Sequence, residues 1–276
     1  MNLIRAELLK IRTTNLWWIF AIGAFVLQAA AFSVNAVQAH FFLDQPDVGD
    51  MPAEDAAELA VLTDTAYHAA NLYTSGQFFA LLFVMLLGIL LVTNEFQHQT
   101  ATTTFLTTPH RTAVVLAKLV TAALLGGLFW LVSTLINLIA GTIFLRAEGV
   151  ADHLGESAIT RAILLNLLAY TLWGIFGVGF GVLIRSQIGA TVTAVVLYLI
   201  GTTAATIIIE ILKSTLGWDW LDKAQVIVPS IASSLMITGA ELPGSPPQYV
   251  GAVVLIMYAV VTATVGTLIV RKRDIS

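Results

Sequence analysis

The chain has 276 residues, 58% of them hydrophobic and 11% charged, with a formal net charge of −4. A water-soluble domain carries about 25% charged residues, so apolar content on this scale excludes a water-soluble fold and makes lipid the main solvent. The lack of cysteine excludes disulfides, thiolate metal sites and cysteine nucleophiles, and the small net charge decides little, because in a membrane charge counts by side.

In chain order, the first segment places Leu3, Ile4, Leu8 and Ile11 at helical spacing, with Arg5, Glu7, Lys10 and Arg12 between them. That pattern predicts an amphipathic helix over residues 1–15, lying on the inner membrane surface. Six apolar stretches follow, over Leu16–Val37, Leu72–Thr93, Leu119–Leu145, Ala162–Ile184, Ile188–Ile209 and Tyr249–Val270. Most are about 22 residues, roughly 33 Å as helix, and the hydrocarbon core is roughly 30 Å thick. The first is too long for the apolar part of a cleaved signal peptide. The third exceeds the bilayer and is expected to tilt or protrude. Thr74, Ser75, Gly76 and Gln77 dilute the start of the second. Pro52 followed by Glu54 and Asp55 is a helix-start signal, so an outside helix is expected to lead toward that span. Between the last two spans, Ala224–Ile237 is apolar but too short to cross and is interrupted by Pro229. Residues 210–248 are therefore expected to form a re-entrant or interfacial hairpin outside, with Trp218 and Trp220 at headgroup depth.

Nine of the 13 basic residues fall on one side: Arg5, Lys10, Arg12, Arg111, Lys118, Arg185, Arg271, Lys272 and Arg273. The other side holds Arg146, Arg161, Lys213 and Lys223. The positive-inside rule makes the nine-residue side cytoplasmic. The expectation is an all-α membrane protein with one domain over residues 1–276, six transmembrane helices and both termini cytoplasmic.

No phosphate loop, His-Glu-x-x-His pair or Gly-x-Ser-x-Gly elbow occurs in the chain. His98 and His110 share one loop, but a zinc site needs three or four ligands. The chain is thus expected not to be an enzyme by itself, to hold no metal or cofactor directly, and to bind no nucleic acid.

The most informative connection is the inner loop over residues 94–112. It is polar and threonine-rich, Pro109 stops it, and Phe96, Phe105 and Leu106 are candidate anchors. It resembles the coupling segment of ABC-2-type transporter permeases, the membrane-spanning subunits of ABC exporters, at Glu95, Thr100, Phe105, Leu106, Pro109, Arg111 and Lys118. The start, Arg5-Ala6-Glu7-Leu8-Leu9-Lys10 followed by Arg12 and Thr13, and the stretch Val228-Pro229-Ser230 also resemble that family. One departure is Gln97-His98, where the family commonly has a basic residue. The resemblance implies a plasma-membrane exporter permease that pairs with a second permease copy, identical or not. Two separate ATPase subunits carry the ATP and magnesium and dock on the inner loops, and their closure switches the path from inward to outward access. Arg111 and Glu95 are then expected to contact the ATPase or brace the loop.

Polar residues inside spans are costly in lipid. Asn137 and Asn166 lie mid-span, and Gln28 and Asn35 lie in the first span. The Asn pair reads as interhelix hydrogen bonding ahead of substrate contact. No charged residue lies deep in any span, which argues against an ion-coupled secondary carrier, the main alternative; a non-transporting accessory protein is the other. Gly177 and Gly181 form a Gly-x-x-x-Gly pair, read as helix packing within one chain.

Overall fold

The computed structural model describes residues 2–43, 59–100, 111–184, 186–218, 220–238 and 245–272. Lipid offers the backbone no hydrogen bonds, so each crossing segment must satisfy its own, which a helix does. The described residues accordingly form helices and no strand. They are α1 (Asn2–Thr13), α2 (Leu16–Leu43), α3 (Thr65–Tyr73), α4 (Gln77–Gln97), α5 (Arg111–Ala147) and α6 (Ser157–Leu183). Then come α7 (Gln187–Val196), a π-turn (Leu197–Gly201), α8 (Thr202–Leu216), α9 (Trp220–Ala224), α10 (Pro229–Ile237) and α11 (Gln248–Lys272).

Six helical segments are long and apolar enough to span a membrane: α2, α3 with α4, α5, α6, α7 with α8, and α11. Each matches an apolar stretch of the sequence, and most run past it. Alpha-helical bonding continues once the side chains turn polar, so α5 reaches 37 residues, roughly 55 Å. The segment Asp44–Glu58, with its expected helix start at Pro52, lies outside the described residues.

The second span is broken where its sequence turns polar. Asp64 caps α3 by accepting a bond from the Ala66 amide, and the chain then turns through Thr74, Ser75 and Gly76 before α4 begins. Gly76 has φ 77°, and a Cβ there would lie 2.6 Å from the Gln28 Cα, so both backbone conformation and space require glycine. The Asn137 amide of α5 donates to the carbonyls of Tyr73 (3.3 Å) and Ser75 (2.9 Å). A side chain from a neighbouring helix thus satisfies carbonyls that the break sets free.

Helix α4 is the centre of the bundle. Its span is 83% buried over the most apolar window, against 11% for α2 and for the α7–α8 span; those two present their apolar surface outward. Glycines let α6 approach α4 closely. A Cβ on Gly177 would lie 2.1 Å from the Met85 carbonyl oxygen, and one on Gly88 would lie 2.4 Å from that of Gly174. Leu8 and Ile11 of α1 pack with Leu91, Val92, Leu125 and the Ile269–Val270 end of α11. Helix α1 and the last described turns of α11 therefore lie at one end of the bundle. Helix α10 is not isolated: its Ser233 accepts a 2.7 Å bond from the Trp173 indole of α6, and Gly251 of α11 packs on its Ala232 carbonyl.

Candidate functional site

Four charged side chains converge at the end of the bundle where the termini lie. Glu7 and Lys10 come from α1, Glu95 from the last turn of α4 and Lys118 from the second turn of α5. The Lys118 ammonium lies 2.8 Å from Glu7 Oε2 and 2.9 Å from Glu95 Oε1, and donates a 2.7 Å bond to the Leu91 carbonyl. Its three donors are thereby matched by three acceptors. Lys10 Nζ lies 2.6 Å from Glu7 Oε1 and 2.5 Å from Glu95 Oε1. Among the described residues of the cluster, two carboxylates and two ammonium groups balance formally to zero.

Burial makes this pairing necessary. Glu7 is 3% exposed, Glu95 5% and Lys118 4%, and a buried charge without a partner is strongly destabilising. Lys10 closes the cluster from the rim, its side chain 43% exposed. Burial pulls its ammonium pKa down, but hydrogen bonds to Glu7 and Glu95 and their charges outweigh that and hold it above the usual 10.5.

The cluster therefore ties α1 to both helices that flank residues 98–110. Beside it, Phe96 packs into the Leu8–Ile11 cluster, and the Thr100 amide returns to the Glu95 carbonyl at 2.9 Å. Thr100 itself is exposed, and Arg111 opens α5. Phe105, Leu106 and Pro109 lie outside the described residues. Arg5 and Arg12 are exposed and make no ion pair among the described residues. Glu7 lies four residues from both Leu3 and Ile11 and so shares the apolar face of α1, where Lys118 pairs its buried carboxylate.

A second polar group lies toward the opposite end. Gln28 Nε2 donates to Asn137 Oδ1 at 2.8 Å and to the Ser133 carbonyl at 3.1 Å. Asn35 Nδ2 donates to Ser75 Oγ at 2.9 Å, and Gln77 Nε2 to Asn166 Oδ1 at 3.0 Å. Asn137 and Asn166 are thus both committed to interhelix bonds. Sequence reasoning picked out these residues singly and missed that they form one belt around the break. The available signal was depth: each lies far along its span from the basic end.

These features define a multi-pass α-helical membrane protein of six spans, with a buried ionic brace at one end and a broken second span near the other. The chain belongs to the family described as protein of unknown function DUF2705, whose model matches residues 21–276. The match begins inside α2, so α1 precedes it. No curated protein matches the chain.

Proposed function

We propose that the chain is the membrane-spanning permease subunit of an ATP-driven exporter of the ABC-2 type. In this reading it resides in the cell membrane with both termini cytoplasmic, pairs with a second permease, and is driven by two copies of a separate ATPase that bind ATP and magnesium. The observation that carries the reading is the ionic brace. Force applied to a loop moves a helix only if the loop base is rigidly held. Glu95 and Lys118 sit on the two helices entering and leaving the loop, and Glu7 and Lys10 lock both to α1.

The brace and the loop then have separate roles. Glu95 and Lys118 are buried, so they transmit motion and do not touch the ATPase. Contact with the ATPase falls to Thr100, Phe105, Leu106, Pro109 and Arg111. The test is co-purification of a phosphate-loop ATPase encoded beside the chain. The wild-type chain should retain the ATPase and hydrolyse no ATP alone. Phe105→Ala with Leu106→Ala and Arg111→Ala should lose it at least tenfold with an unchanged thermal unfolding midpoint. Full retention by this triple variant would remove the docking assignment.

A further inference from the structure

The break in the second span forms one wall of a polar pocket of about 340 Å³, within the usual size range of small-molecule sites. Asn35 and Gln38 of α2, Asn71, Ser75 and Gln77 around the break, and Ser234 of α10 line it, and none of the described lining residues is charged. Part of this wall is fixed from behind. Asn35 donates to Ser75 Oγ and to the Asn71 carbonyl, and the Gln77 amide nitrogen is held by Asn166. The side-chain amides of Gln38 and Asn71, by contrast, make no hydrogen bond to protein among the described residues. Phe78 and Phe79 line the same pocket, their rings edge to face with centroids 5.3 Å apart.

Depth narrows the ligand. Helix α4 runs 21 residues from the break to the ionic brace, roughly 30 Å, the thickness of the hydrocarbon core. With the brace at one membrane surface, the pocket lies at headgroup depth on the other. Chemistry narrows it further. An amide offers a donor and an acceptor side by side, as does each hydroxyl of a sugar. A phosphate, carboxylate or ammonium would find no opposite charge among the described lining residues, and desolvating it unpaired would be costly. The aromatic rings supply an apolar surface for the C–H face of a sugar.

We infer that this pocket binds an uncharged, hydroxyl-rich sugar, free or as the headgroup of a glycolipid. The inference stands apart from the permease reading, because binding is measured on the chain alone and neither outcome decides the other. The purified chain is placed in phosphatidylcholine nanodiscs, using a detergent without a sugar headgroup. Equilibrium binding is then measured for glucose and maltose and for alkyl glycosides carrying the same sugars. Saturable binding of a glycoside alone assigns a lipid headgroup; binding of the free sugar as well assigns a soluble ligand.

Asn71→Leu should weaken binding at least tenfold. Gln38→Leu with Ser234→Ala should do the same; both positions are exposed, so this variant keeps its fold, as its unfolding midpoint will report. A phosphocholine-headed detergent of equal chain length should not compete. The inference is overturned if no sugar probe saturates, if the phosphocholine detergent displaces the glycoside equally, or if the folded variants bind as wild type does.

Discussion

Lys118 is a buried cation whose environment must satisfy every donor it has. It is a cation that is 4% exposed, and its donors are used by Glu7, Glu95 and a main-chain carbonyl. Replacing it by methionine keeps the side chain's length and removes its charge, so the two buried carboxylates lose the ammonium that lies between them. Losing one partner of a buried ionic group costs about 3–5 kcal/mol, so Lys118→Met should lower the thermal unfolding midpoint sharply. Adding Glu7→Gln should recover part of that loss, because one of the two stranded charges goes. Lys10→Ala should cost about 1 kcal/mol or less, since a half-exposed pair is screened by water. The Lys10 contribution carries its own pH dependence. The Lys10 pKa is raised in the folded state, so its contribution is complete below the unfolded value of 10.5 and is lost as pH rises through the folded one. The difference in unfolding midpoint between wild type and Lys10→Ala should therefore be flat from about pH 7 to about pH 10 and shrink above that.

At the scale of elements, close helix contact depends on where a glycine faces another backbone. On Gly177 an added methyl would meet the Met85 carbonyl oxygen at 2.1 Å, whereas on Gly127 the nearest atom is a Leu167 methyl at 3.8 Å. Gly177→Ala must push α6 away from α4 and should destabilise by about 1–3 kcal/mol, the usual cost of overpacking. Gly127→Ala makes only an ordinary van der Waals contact inside a helix and should be neutral or stabilising by up to about 1 kcal/mol. Unfolding of the two variants in one detergent checks the contrast. The Gly-x-x-x-Gly spacing made helix packing at Gly177 readable from sequence, because small-residue spacing is local. The six spans were readable for a similar reason, since an apolar run of bilayer length needs no partner to be recognised. The break at Thr74–Gly76 was visible only as a polar dilution. What lets the helix open there is the Asn137 side chain, which bonds the Tyr73 and Ser75 carbonyls from α5, and no local pattern reveals such a partner.

For the whole molecule, the same limit explains how much of the candidate site could be foreseen. Glu7, Lys10, Glu95 and Lys118 were each singled out by sequence, but as two separate groups: one on a surface helix, the other on a loop. Their union spans the Glu7–Lys118 pairing, and long-range ion pairs have no signature in spacing. Of the two roles expected of Glu95, contact with the ATPase or bracing the loop, its burial between two lysines favours the second. The brace, α1 and the Ile269–Val270 end of α11 lie at one end of the bundle, so a single question of sidedness governs the proposed mechanism. The chain has no cysteine, which makes introduced thiols unambiguous reporters. His98, just past the end of α4, and Gly155, between α5 and α6, are both exposed. A Cβ at Gly155 meets nothing within 4 Å, so neither His98→Cys nor Gly155→Cys should disturb packing. In intact cells a membrane-impermeant maleimide should label Gly155→Cys and leave His98→Cys untouched until the membrane is opened. The reverse pattern would place the braced loop outside, where no ATP-bound subunit could reach it, and the force drawn from hydrolysis would have no entry point into the spans.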